Sequence, residues 1–199
     1  MPFKQDYLVS NGISRGAYAD RNYGIARIRG FYRTARQASM ACEPANELWT
    51  LFFELFRQRF PQLPQARAEY DHFVLEKITE LGRLLRRLDV LQRDKLGEFG
   101  IAQKMVNLFM KEHWALNVFS AKTERLLHLP LDRRVLSKLK RCPGTWSRWT
   151  RVTDTPEHKA DCQRIQDEFR LEWKRVAVFR SPIEMEQFIW YRIPHRQSE

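Results

Sequence analysis

What most constrains the fold of this chain is the spacing of its apolar residues. From about Gln65 to Gln92, Tyr70, Phe73, Val74, Ile78, Leu81, Leu84, Leu85 and Leu88 recur at three- and four-residue intervals. That spacing puts them on one stripe of a long α-helix. His72 lies beside the stripe and is expected as a partly buried packing residue. No period-two alternation survives for long anywhere, so strands have no support. Leu48, Trp49, Leu51, Phe52, Phe53, Leu55, Phe56 and Phe60 give an earlier buried helix, closed by Phe60-Pro61-Gln62-Leu63-Pro64. A third helix runs from Ala102 to about Phe119, and a short one from Asp132 to Lys140. Pro156 opens another to about Phe179, with Ile165, Phe169, Leu171, Trp173 and Val176 inward. Pro182 opens the last, which Pro194 ends. The expectation is all-α: a single helical domain over residues 1–199, with about seven to eight helices.

Charge narrows the partners. Lys and Arg number 35 against 24 Asp and Glu, a net +11. A basic domain of this size is expected to meet a polyanion, above all nucleic acid. Residues 1–44 form a basic N-terminal segment. In it Lys4, Arg15, Arg21, Arg27, Arg29, Arg33 and Arg36 are interleaved with Tyr7, Tyr18, Tyr23, Phe31 and Tyr32. Arginine with aromatics suits phosphate contact and base stacking; a helix from Tyr23 to Ala41 with one solvated basic face is the plain alternative.

No apolar run is long enough to span a membrane. The first residues lack the apolar core of a signal peptide. Cys42, Cys142 and Cys162 are odd in number and far apart, which suits neither a disulfide framework nor a metal site. The expectations are a reduced, cytoplasmic compartment, no metal, no cofactor and a monomer.

Chemistry concentrates in residues 92–140. Leu96-Gly97-Glu98-Phe99-Gly100-Ile101-Ala102-Gln103-Lys104 reads as a tight turn opening a helix. Backbone N–H groups converge at such a helix start and attract anions. Gly97, Gly100, Ile101 and Ala102 are therefore expected to hold a DNA phosphate, the glycines allowing close approach. Lys104 stands near that positive helix end with apolar neighbours, where its ammonium is disfavoured and a neutral, nucleophilic amine is expected. Asp132 follows Pro130 and could accept a proton or stabilise a developing cation; as a simple helix cap it would need no further role.

Three motifs in order carry a resemblance. Phe99-Gly100-Ile101-Ala102-Gln103-Lys104 with Lys111 behind it, Leu129-Pro130-Leu131-Asp132-Arg133-Arg134-Val135, and Glu186-Gln187-Phe188-Ile189-Trp190 resemble the helix–hairpin–helix DNA glycosylase superfamily. The archaeal 8-oxoguanine glycosylase branch is the most similar. The likeness covers about residues 92–140 and 183–192. It implies a helix–hairpin–helix DNA-binding element, Lys104 as Schiff-base nucleophile, Asp132 as its assistant, and Glu186 and Trp190 lining a base pocket on the last helix. The sequence departs from the family pattern in four ways: the hairpin is not the common Leu-Pro-Gly-Val-Gly form, the Lys–Asp spacing is a few residues shorter than in that branch, Glu186 stands in place of its aspartate, and there is no four-cysteine iron–sulfur run near the C-terminus.

The function implied is a DNA glycosylase that flips a modified base out of duplex DNA and excises it by attack at C1′, with abasic-site lyase activity if Lys104 is the nucleophile. Trp146, Trp149 and Arg148 are candidates to fill the gap in the duplex. The composition is not that of a hyperthermophile. A foreign base, such as the glucosylated hydroxymethylcytosine of phage DNA, is accordingly one expected substrate, with an anti-phage role; 8-oxoguanine repair is the other. A non-catalytic helical nucleic-acid-binding domain is the rival class. A ribonuclease toxin is a third, set aside on the expectation that no Arg-x-x-x-x-His motif supports it.

Overall fold

The computed structural model describes residues 2–10, 25–26, 28–29, 42–89, 91, 96–138 and 142–192. Among these, every regular element is helical. The α-helices are α1 (Pro2–Ser10), α2 (Cys42–Leu48), α3 (Glu54–Gln58), α4 (Arg67–Arg87), α5 (Glu98–Ala115), α6 (Ala121–Glu124), α7 (Arg133–Leu136), α8 (Pro156–Val176) and α9 (Pro182–Arg192). A π-helical stretch, Trp49–Phe53, joins α2 to α3, and 3-10 helices form at Phe60–Gln62 and Gly144–Arg151. Of the helix expected over Tyr23–Ala41, Ile25, Ala26, Ile28 and Arg29 are described and helical, with Ile25 and Ile28 buried; the rest of it and the aromatics Tyr18, Tyr23, Phe31 and Tyr32 lie outside the described residues.

α4 and α5 form the central pair. Tyr70, Val74, Ile78, Leu81 and Leu85 of α4 are fully buried, as their spacing predicts. Phe56, Phe60, Phe109, His113 and Phe119 pack ring against ring beside them. Each fully buried side chain of this size stabilises the fold by roughly 1.5–3 kcal/mol relative to exposure. His72 departs from the expectation: it is exposed and pairs with Glu76 at 3.2 Å. The buried stripe passes through its neighbour Asp71 instead. Leu171, expected inward, is 68 % exposed, because it lies off the stripe formed by Cys162, Ile165, Gln166 and Phe169.

α5 begins at Glu98, four residues before the expected start. Gly97 is its extended N-cap, at φ −90° and ψ 125°, and Gly100 lies inside its first turn. Glu98 fixes that start: its Oε1 accepts from the Asp154 N–H at 2.9 Å and its Oε2 meets Arg86 at 2.7 Å. α5 is enclosed along its whole length. It buries Gln103, Lys104, Asn107, Lys111, Glu112 and His113 as well as its apolar residues. Buried polar groups are costly without partners, so this helix calls for a close accounting of its polar side chains.

α1 covers one end of α5. Lys4 Nζ lies 2.5 Å from Glu124 Oε1 and 3.0 Å from Asn117 Oδ1, over the Trp114 ring. The Tyr7 hydroxyl donates to Glu112 Oε1 at 3.3 Å. Lys4 and Tyr7, grouped in the sequence with residues that would touch DNA, are thus buried in the fold. No helix among the described residues is long and apolar enough to cross a membrane.

Candidate active site

Lys104 and Asp132 meet. Lys104 Nζ lies 3.0 Å from Asp132 Oδ2, and both side chains are about nine-tenths buried. Asp132 has two roles at once. Its Oδ1 accepts from the N–H groups of Arg134 and Val135, at 3.0 and 3.2 Å, and caps α7. Its Oδ2 remains for the lysine. Capping therefore fixes the carboxylate without consuming the oxygen that faces the amine.

An extended strap, residues 127–132, carries Asp132 to this position, and side-chain amides hold it. The Gln103 amide donates to the Leu131 carbonyl at 2.6 Å and accepts from the Leu131 N–H at 3.1 Å. Gln166 does the same for Leu129, at 2.9 and 2.8 Å, and Asn107 adds a bond to the Leu129 carbonyl at 3.1 Å. Upstream, His128 Nε2 faces Asp71 Oδ1 at 2.7 Å. Arg170 forks onto both Asp71 oxygens at 2.9 and 2.6 Å and reaches the Leu126 carbonyl at 2.9 Å. Burial alone would raise the Asp71 carboxyl. Hydrogen bonds and charge from His128 and Arg170 outweigh it and hold the group well below the usual carboxylate range.

Behind the first pair sits a second. Lys111, two turns along α5, forms an ion pair with Glu186 of α9; both are fully enclosed. Lys111 also lies 4.9 Å from the Tyr7 ring centroid. Burial pushes the Lys111 ammonium down and the Glu186 carboxyl up, each against the pull of the other. Asp132 and Lys104 act on both groups through space, so the four charges form one cluster. Glu186 Oε1 is buried and has no hydrogen-bond partner among the described residues. Trp190 lies one turn further along α9; its side chain falls outside the described residues.

The glycines have a different job from the one expected. The Gly97 N–H donates to the Thr150 carbonyl at 2.7 Å, and the Gly100 N–H to the Val152 carbonyl at 2.9 Å. The Ile101 N–H bonds back to Gly97 at 3.3 Å, and Ala102 is fully buried. Gly97 and Gly100 are therefore covered by residues 149–152, and neither they nor the buried Ile101 and Ala102 are amides that this fold offers to a DNA phosphate. The absence of side chains admits that cover. A Cβ at Gly97 would stand 2.2 Å from the Val152 oxygen, and one at Gly100 1.8 Å from the Trp149 oxygen.

The 3-10 helix Gly144–Arg151 sorts the three candidates for filling a DNA gap. Trp146 is 0 % exposed and packs on Phe99, so it is a core residue. Arg148 is exposed and sits at a kink, with φ −115° and ψ 55°. Trp149 is half-buried, its ring centroid 4.8 Å from Lys104 Nζ. The Arg-x-x-x-x-His pattern, expected to be absent, is in fact present at Arg67 and His72. Arg67 is tied to Asp71 and Asp167 and His72 to Glu76, on the exposed side of α4.

The sequence reading left the two glutamine clamps and the Asp71–His128–Arg170 network without a role. Their signal was readable in part. Gln103 and Gln166 fall on the apolar stripes of their helices, where a polar residue needs a buried partner. The partner itself is not in the local sequence. Among the described residues no three His, Cys, Asp or Glu side chains are grouped to hold a metal. No family model, no curated protein and no solved structure matches this chain.

Proposed function

We propose that this chain is a DNA glycosylase in which Lys104 attacks C1′ of a nucleotide turned out of duplex DNA. The observation that carries this reading is the contact of Lys104 Nζ with Asp132 Oδ2 at 3.0 Å in a largely dehydrated setting. Lysine–carboxylate contacts on protein surfaces are common and contribute little. This one is almost enclosed, joins the centre of α5 to a strap clamped by two glutamines, and lies at the edge of basic surface. Arg133, Lys138, Arg148 and Arg151 are exposed on α7, just beyond it, and on the 3-10 helix packed against α7. Those cations, with no help from the covered glycine amides, suit the DNA backbone.

The chemistry follows from the pair. Asp132 takes a proton from the Lys104 ammonium. The free amine forms a bond to C1′ as the N-glycosidic bond breaks, and that bond's electron pair leaves with the base, which takes up the proton that Asp132 had accepted. The carboxylate restored in this way stabilises the oxocarbenium character at the sugar. Opening of the sugar ring gives a Schiff base, and β-elimination then cleaves the strand; hydrolysis without elimination would leave an abasic site. No metal or cofactor has a part in this sequence of steps. Glu186 and Trp190 are the proposed base pocket, supported by the unpartnered Glu186 Oε1 beside the Lys104–Asp132 pair. The proposed substrate is a foreign modified base, such as a glucosylated hydroxymethylcytosine of phage DNA, giving an anti-phage role; 8-oxoguanine is the alternative.

The test is base release, read by mass spectrometry from phage DNA and from 8-oxoguanine duplexes, combined with borohydride trapping. Wild type should release one base and give a covalent adduct, and Lys104→Ala should give no adduct. Absence of both products across a panel of modified bases would leave a non-catalytic DNA-binding domain as the better reading.

A further inference from the structure

We infer that Trp149 is a positioning residue for the Lys104 amine: its indole and the Asp132 carboxylate hold the ammonium between them, and Gly97 and Gly100 permit the backbone approach that puts the indole there. The geometry is on three elements. Lys104 Nζ is 4.8 Å from the Trp149 ring centroid and 3.0 Å from Asp132 Oδ2. An ammonium over an indole face is attracted by the ring quadrupole, more strongly where water is excluded. The 3-10 helix that carries Trp149 is not placed by its own packing alone. It is bonded to the first turn of α5 through Gly97 N–H to Thr150 O and Gly100 N–H to Val152 O, the residues one and three places after Trp149 in the chain. Glu98 adds the bond from the Asp154 N–H.

A side chain at either glycine would drive this segment off α5, since the atoms it would strike are backbone carbonyls. The Gly-x-x-Gly spacing is thus one turn of α5 laid bare so that another backbone can rest on it. Lys104 stands one turn beyond Gly100, which brings the resting segment over its amine. A long, flexible lysine side chain has many rotamers, and attack on C1′ needs one of them. The indole closes off the others. It also covers the amine until a nucleotide arrives.

The catalytic consequence rests on the glycosylase reading, while the placement of the amine does not, so two measurements separate them. The first uses the protein without DNA: reductive methylation with formaldehyde and a borane, with Lys104 modification read by peptide mass spectrometry against buried Lys111 in the same chain. Trp149→Ala should raise the Lys104-to-Lys111 modification ratio at least five-fold, Trp149→Phe should stay near wild type, and Gly100→Ala should follow Trp149→Ala. Gly144→Ala, where an added Cβ meets nothing within 4 Å, should leave the ratio unchanged. An unchanged ratio in Trp149→Ala overturns the proposal.

The second measurement uses the DNA identified by base release. Trp149→Ala should lower the ratio of borohydride adduct to free abasic product about ten-fold, because water can still attack when the lysine is out of place, and Trp149→Phe should restore it. A merely structural loss would lower both products together and leave the ratio fixed, which would also overturn the inference. If wild type releases no base, the glycosylase reading fails and the methylation ratio alone decides the role of Trp149.

Discussion

Gln103 grips the peptide groups of Leu131 at both ends: its Nε2 donates to the Leu131 carbonyl at 2.6 Å, and its Oε1 accepts from the Leu131 N–H at 3.1 Å. Gln103 precedes Lys104 on α5, and Leu131 precedes Asp132 on the strap. One side-chain amide therefore ties the two halves of the candidate site together from the residues just before them.

Removing that amide should cost stability before it costs chemistry. Gln103→Met strands a buried N–H and a buried carbonyl, at about 1–3 kcal/mol each. Urea denaturation should show a loss of about 2 kcal/mol or more. A loss under about 0.5 kcal/mol would mean the strap is held without the clamp.

Asp132 separates its cap from its chemistry under two substitutions. Asparagine keeps a side-chain oxygen for the Arg134 and Val135 N–H groups, whereas alanine does not. Asp132→Ala should be less stable than Asp132→Asn by about 1 kcal/mol, the usual worth of such a cap. Both should lose base release, and Asp132→Asn should keep DNA affinity, read by titration at fixed salt. Normal turnover in Asp132→Asn would remove the carboxylate from the mechanism.

The Lys111–Glu186 pair should behave as a unit. Lys111→Met leaves the Glu186 carboxyl buried without its counterion, a change that costs about 3–5 kcal/mol in comparable sites. Adding Glu186→Leu should recover at least half of that loss in chemical denaturation. If the double variant is no better than the single one, the two residues are not compensating each other.

Stability should fall on mild acidification. Burial, opposed only in part by its bond to the Phe109 carbonyl, holds His113 at about 4 in the fold, against 6.5 for a free histidine. A depressed histidine is neutral in the folded chain while the unfolded chain takes up a proton. Its contribution is fully present above about pH 6.5 and is lost as pH drops toward 4, by up to about 3 kcal/mol. His128, also pushed down by burial, acts in the same direction. Melting temperature followed from pH 7 to pH 4 should decline, and His113→Gln should flatten the decline. An unaltered slope would assign it to other groups.

Much of this fold is legible in the sequence. The stripes of α4, α8 and the run through Trp49 and Phe56 announce helices, because a single buried face imposes a 3.6-residue period on local sequence. Pro156 and Pro182 mark helix starts for an equally local reason. Errors fall where a residue borders a stripe: His72 and Leu171 lie beside buried positions and point outward.

At the site, residue types and their order are legible along the chain: an amine on a helix, a carboxylate after a proline, an acid late in the chain. Local propensity also determined that Asp132 would cap α7. The packing of the helices set the rest: Lys104 touches Asp132, Lys111 closes on Glu186, and Trp146 is core while Trp149 covers the lysine. It also turned Gly97 and Gly100 from an open anion grip into a bed for residues 149–152. The reason is physical. A glycine records only that some backbone comes close, and a buried polar side chain records only that some partner exists. Which backbone and which partner are set by segments tens of residues away, brought together when the helices pack.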